Sequence, residues 1–232
     1  MDEIVAGLIK AIELIVTLNP EVVEITSRSL GIALTSTLFA ALIDIPLGSL
    51  IYFHNFHGKR GLVNIIQTLY SLPTVTVGLV VFLIISRSGP LGPLGLLFTP
   101  AGMVLGQTIL ITPVMIGLTI SALSGISSQV RDTAISLGAS QSQAILTIIS
   151  EARVAVMSAV LLGFGRALSE VGVATMIGGN IRGYTRVLTT AIALETSMGN
   201  LELSMALGII LISISLLVNI ILNMVQGRMQ RG

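Results

Sequence analysis

The chain has 232 residues, 53% of them hydrophobic and only 10% charged, with a mean hydropathy of +0.97 and a formal net charge of +1. A soluble domain carries about a quarter charged residues, so this composition excludes a water-soluble globule and makes lipid the solvent for most of the surface. The near-zero net charge excludes a nucleic-acid partner, which needs a concentrated basic face, and the absence of cysteine excludes disulfides, thiolate metal sites and cysteine nucleophiles.

The amino terminus is acidic (Asp2, Glu3) where a secretory signal is basic, so the first apolar stretch is expected to be retained. Ile4–Leu18 carries Lys10 and Glu13 and stops at Asn19 and Pro20. It is shorter than the roughly 20 residues that cross a bilayer core. Residues 1–19 are therefore expected to form an amphipathic helix in the membrane interface, with a sixth, tilted span as the alternative. From residue 20 onward five longer apolar stretches follow: Leu30–Phe53, Leu62–Ile85, Ala101–Leu123, Val154–Ile177 and Leu203–Val225. The expected fold is an all-α integral membrane protein with about five transmembrane helices.

Within the first stretch, Asp44 precedes Pro46 and is expected to face the protein interior. His54 and His57 share the next polar loop with no third ligand, so no metal site is expected. The second stretch carries Ser71, Pro73, Thr74, Thr76 and Gly78, and the third carries Gln107, Thr112 and Pro113. Helix breakers beside hydroxyls suit helices that line a pathway, and they equally suit close helix packing. Between the third and fourth stretches lies a polar loop, about residues 124–150. Ser127 and Ser128 are placed to cap a helix with Val130, Ala134 and Leu137 at helical spacing. Gly138 is a stop, and a second helical run starts at Ser140.

Arg166 and Glu170 fall inside the fourth stretch, four residues apart and so on one face of a continuous helix. A charge at the bilayer centre costs roughly 2.5–3.5 kcal/mol on insertion scales. The pair is expected to face protein or a pathway, either as a translocation or dimer-interface element or as an ion pair that fixes packing. Arg182 and Arg186 lie in the following loop.

Lys59, Arg60, Arg131, Arg153, Arg228 and Arg231 flank the spans on one side. Lys10, Arg28, Arg87, Arg182 and Arg186 flank them on the other, a balance too even to orient the chain. No internal repeat is visible, which argues against a two-halved secondary transporter and for a pathway formed by dimerisation. There is no Gly-x4-Gly-Lys-[Ser/Thr] phosphate loop: around Gly58 and Lys59, Phe53 and Arg60 occupy the required glycine and hydroxyl positions. No catalytic constellation of serine, histidine or paired carboxylates appears, so the chain is not expected to be an enzyme.

The loop residues resemble the cytoplasmic signature of ATP-binding-cassette importer permeases: Glu-Ala-Ala, three residues, Gly, nine residues, Ile. Here Asp132, Thr133, Ala134, Gly138 and Ile148 stand at that spacing, with Asp for Glu, Thr for the first Ala, and Ser150-Glu151 where Leu-Pro is common. A second resemblance covers the chain from about residue 20. The segments 86–92, 163–172 and 177–192 are similar to tungstate-importing permeases and, more distantly, to molybdate permeases, which carry Glu-Phe-Gly-Ala-Thr where this chain has Glu170, Val171, Gly172, Val173 and Ala174.

The resemblance implies a type I importer permease with a cytoplasmic coupling helix at Arg131, Asp132, Thr133, Ala134, Leu137, Gly138 and Ala139. It implies a second copy of the chain, a cytoplasmic ATPase dimer that uses ATP and Mg, and an extracytoplasmic oxyanion-binding protein. No cofactor is expected in this chain. Pro73, Thr74, Thr76, Arg166 and Glu170 are the candidates for the pathway or dimer interface.

Overall fold

The computed structural model describes the backbone of residues 2–231 and the side chains of residues 4–220, 223 and 224. Among the described residues the regular elements are all helical: α1 (Asp2–Val16), α2 (Pro20–Phe53), α3 (Lys59–Leu69), α4 (Thr74–Ile85), α5 (Pro100–Ser124), α6 (Ser128–Ser136), α7 (Gln141–Glu151), α8 (Arg153–Leu168), α9 (Gly172–Gly178), α10 (Leu188–Ser197) and α11 (Leu201–Arg231), with one 3-10 turn at Gly92–Leu94. Three segments, Pro20–Phe53, Pro100–Ser124 and Leu201–Ile220, are each long and apolar enough to cross a membrane. The number reaches five if the bent pairs α3–α4 and α7–α8 each count as one span.

Local chemistry starts these helices where they start. The Asn19 side chain accepts from the backbone N–H of Glu21 (3.1 Å) and Val22 (3.3 Å), and Pro20 takes the first turn of α2, where its missing N–H costs nothing. Thr99 caps α5 in the same way through the Gly102 N–H, ahead of Pro100. At about 1.5 Å per residue α2 is about 51 Å long, against a hydrocarbon core of about 30 Å. Its first turns, with Glu21, Glu24 and Arg28, stand beyond the apolar zone. Pro46 and Pro113 are absorbed inside α2 and α5 without ending either helix.

Two expected continuous spans are interrupted. The stretch Leu62–Ile85 is two helices, α3 and α4, meeting at 102° across residues 70–73. Pro73 has no N–H to continue a helix and restricts Leu72 to extended backbone, and the chain changes direction there. The stretch Val154–Ile177 ends as α8 at Leu168 and restarts as α9 at Gly172. A Cβ at Gly172 would stand 2.9 Å from Thr74 Oγ1 and 3.1 Å from the Val75 nitrogen, so the second break is pressed against the first.

α5 is the centre of the bundle. It meets α2 where Gly48 lets the backbones close: a Cβ there would lie 2.9 Å from the Thr119 Cβ and 3.0 Å from the Ile116 carbonyl oxygen, the small-residue packing favoured between membrane helices. Ser36 of α2 donates to Gln107 of α5 (3.3 Å), and Thr108 donates to the Ser36 carbonyl (3.3 Å). Ala33, Ala40, Ile111, Met115, Phe164 and Ala167 join α2, α5 and α8 in one buried cluster. Val81, Ile85, Leu110, Val173 and Ile177 join α4, α5 and α9. The opposite side of α2 exposes Leu34, Leu38, Leu42 and Leu50, a lipid-facing stripe.

The expected N-terminal helix is present as α1. Its Ala11 and Leu14 are buried against α10 and α11 through Leu188, Ala191, Ala206, Leu207 and Ile210, and Gly7 admits Met205 so closely that a Cβ would be 2.7 Å from it. The outer face of α1 presents Ile4, Leu8, Ile12 and Ile15, relieved by the Lys10–Glu13 ion pair at 3.1 Å.

Candidate functional site

The polar loop is a short helix on a rigid stem. Ser127 Oγ accepts from the Gln129 N–H (3.2 Å) and begins α6. Gly138 ends it with φ +89°: its N–H bonds the Ile135 carbonyl (2.9 Å) and the Ala139 N–H bonds that of Ala134 (3.0 Å), a Schellman stop. A Cβ at Gly138 would meet nothing within 4 Å, so glycine is needed there for conformation and not for space. Ser140 and Gln143 then form a reciprocal capping box at the start of α7. The stem is fixed because Ile148 and Ala152 are buried with Leu123 at the end of α5. On the tip, Arg131, Asp132, Thr133, Leu137 and Gly138 are exposed, and Ala134 and Ala139 half-buried. Leu137 is 83% exposed, an apolar knob outside the apolar zone.

The two helix breaks form the second region. Pro73 and Thr76 are exposed and Thr74 half-buried at the start of α4. Arg166, in the last turn of α8, reaches across to donate from Nη2 to the Tyr70 carbonyl at 3.5 Å, and its Nε is buried without a partner. The expected pairing of Arg166 with Glu170 is absent. α8 has already ended between them, so the four-residue rule no longer places them on one face. Glu170 is buried, and its Oε1 accepts from the Val173 N–H (3.0 Å) at the start of α9 while its carbonyl accepts from Thr189 of α10 (2.7 Å). It holds α9 and α10 in place. Asp44 is fully buried as expected and faces Thr112, whose hydroxyl is turned to the Thr108 carbonyl, leaving both carboxylate oxygens without a hydrogen bond.

At the opposite end of the bundle from the loop, Arg182 makes a bidentate pair with Glu21 (2.9 and 2.6 Å), and Arg186 lies 3.7 Å from the same carboxylate. The hydrogen bond and charge of Glu21 raise the Arg182 pKa further above its usual value. Arg28 pairs with Glu24 and donates to the Arg186 carbonyl (3.1 Å). These contacts tie the segment 179–187 to the projecting end of α2.

Sequence reasoning missed Tyr70 and Gly117. The Tyr70 hydroxyl lies over Gly117 of α5, and its carbonyl is the Arg166 acceptor. The only signals in the sequence were an aromatic residue three positions before Pro73 and a glycine four after Pro113.

Comparison with known proteins agrees with this geometry. The chain is 40% identical over 97% of its length, and 99% of the relative's, to the "Tungstate uptake system permease protein TupB" of Peptoclostridium acidaminophilum. It is 41% identical over 85% of its length, and 87% of the relative's, to the "Probable anion ABC transporter permease protein" of Haloferax volcanii. Its fold matches an inward-facing structure of the MetNI methionine ABC transporter with a TM-score of 0.74 at 15% identity, covering 92% of this chain and 98% of that one. Residues 44–231 match the family model itself, so the interrupted spans and the stemmed loop belong to a multi-pass membrane protein of the binding-protein-dependent transport system inner membrane component family.

Proposed function

We propose that the chain is the non-catalytic transmembrane subunit of an ATP-driven importer and forms the translocation pathway for an oxyanion, tungstate before molybdate. The observation that carries this reading is the near-full-length likeness to a tungstate permease. The exposed α6 tip supports it, since a groove on a partner can grip a helix held this rigidly.

In this reading Arg131, Asp132, Thr133, Ala134, Leu137, Gly138 and Ala139 form a coupling helix on the cytoplasmic side and dock on an ATPase dimer. That partner uses ATP and Mg; this chain binds neither. The end bearing Glu21, Arg182 and Arg186 faces outward and meets an oxyanion-binding protein. Two copies of the chain enclose the pathway, because a single copy has no second half. Pro73, Thr74, Thr76 and Arg166, gathered at the two helix breaks, line it, and Glu170 positions α9 beside it. ATP binding and hydrolysis switch the pathway between two openings, each favoured by a ligand at one end.

The test is ATPase activity of the permease–ATPase complex in liposomes, with binding protein loaded with tungstate, molybdate or sulfate. Stimulation greatest with tungstate, and lost in Asp132→Ala and Gly138→Val, is the expected result. Stimulation greatest with molybdate reassigns the substrate. Oxyanion flux with no ATPase bound refutes the importer.

A further inference from the structure

Between α8 and α11 an open groove of about 500 Å³ runs along the bundle. Its polar lining is Ser158 and Arg166 from α8 and Ser215, Asn219 and Asn223 from α11, set among leucine, phenylalanine, valine and glycine. The three α11 residues are four apart and share one helix face; the exposed apolar Ile212, Leu216 and Ile220, each three residues before one of them, border that stripe, and Leu217 lies on the far side of the helix. At about 1.5 Å per residue, Ser215 lies about 21 Å and Asn219 about 27 Å into α11 from Leu201, so the stripe runs from the middle of α11 toward the α6-tip end of the bundle. α8 runs the other way, which puts Arg166 at the inner head of the groove and Asn223 toward its mouth.

Most of the groove wall is apolar, and the polar groups set into it include a guanidinium and two amides but no carboxylate. Arg166 spends one long hydrogen bond on Tyr70 and leaves Nε buried and unpartnered. Asn219 and Asn223 make only a 3.5 Å contact with each other. Polar groups at this depth are costly and mark ligand pathways. An apolar occupant leaves the guanidinium and both amides unsatisfied. A tetrahedral oxyanion is all acceptor, and guanidinium N–H groups match its oxygens.

We infer that this groove is a holding site for the tetrahedral oxyanion on its way out of the pathway, with Arg166 as the charged contact and Asn219 and Asn223 as the neutral ones. This rests on the oxyanion-importer reading. One cation among neutral donors makes the site weak, as a release site must be. The same Arg166 is the link between α8 and the Tyr70 turn, so an anion that draws the guanidinium away loosens the contact between the two helix breaks.

Because the chain has no cysteine, Ser215→Cys puts a single thiol in the groove. In the permease–ATPase complex in nanodiscs, an anionic sulfonatoethyl thiol reagent is expected to react about tenfold faster than its trimethylammonium counterpart, and tungstate is expected to slow both. Arg166→Gln removes the preference and the protection, while Arg166→Lys keeps the preference. Asn219→Leu, on the exposed stripe, lowers protection without touching the core, and serves if Arg166→Gln fails to assemble. Equal rates without tungstate protection, in a complex that imports tungstate, overturn the site and leave the importer reading intact. Protection by anionic lipid regardless of tungstate also overturns it, in favour of a lipid headgroup. If the wild-type complex imports no oxyanion at all, the importer reading falls first.

Discussion

Gly117 of α5 lies under the Tyr70 ring. A Cβ built on it would sit 1.4 Å from the hydroxyl oxygen, 2.5 Å from Cζ and 3.1 Å from Cε1. Non-bonded contact requires about 3.5 Å, so Gly117→Ala obliges the hydroxyl to retreat by about 2 Å and Cζ by about 1 Å. Rotating the ring off its rotamer costs about 0.5–1.5 kcal/mol, and pushing α3 away from α5 falls in the overpacking range of about 1–3 kcal/mol. The expected destabilisation is about 1–3 kcal/mol. Tyr70→Leu removes the atoms beyond the near half of the ring, and there Gly117→Ala becomes neutral, or stabilising by up to about 1 kcal/mol because alanine suits a helix interior better than glycine. A double-mutant cycle by reversible denaturation of the purified protein measures this. If Gly117→Ala costs the same in both backgrounds, the ring is not the obstacle and the packing argument fails.

Three further outcomes are expected. Gly138→Val pays about 1–2 kcal/mol for its left-handed backbone, all of it local to the loop. Binding-protein stimulation of the ATPase should vanish while expression persists, and Gly138→Asn should retain it. Glu170→Ala removes the acceptor at the start of α9 and costs about 0.5–2 kcal/mol, read as a lowered denaturation midpoint. Its coupling with Arg166→Gln stays below about 0.5 kcal/mol, because the two side chains form no ion pair. Asp44→Asn leaves the folded yield unchanged or higher, since the carboxylate makes no hydrogen bond that the amide would lose; a fall in yield measured by size-exclusion chromatography refutes this.

What the sequence revealed was what is encoded locally. The cap at Ser127, the stop at Gly138 and the helical run from Ser140 need only neighbours within one turn, and each forms in the structure. The apolar stretches were legible because a bilayer sets a length. The breaks were not. Pro73 announces an interruption, but whether the helix kinks or turns by 102° depends on Tyr70 meeting Gly117 and on Thr74 meeting Gly172, residues far apart in the chain. The pairing of Arg166 with Glu170 failed for the same reason: counting four residues between them presupposes an unbroken helix. The polar stripe on α11 was readable as Ser215, Asn219 and Asn223 at four-residue intervals, yet it acquires meaning only opposite Arg166.

The two breaks also serve as a compass for the surrounding bilayer. Peptide groups freed at a helix interruption find no partner in hydrocarbon, so interrupted backbone at membrane depth belongs against protein or water. Ser71, Leu72, Pro73, Ser169 and Val171 are nonetheless exposed in the single chain. The sector that carries them is therefore expected to meet protein or water, whereas the flank formed by Leu34, Leu38, Leu42 and Leu50 is expected to meet lipid. Spin labels placed on the two flanks would sort them by accessibility to lipid-soluble oxygen, whatever the chain transports.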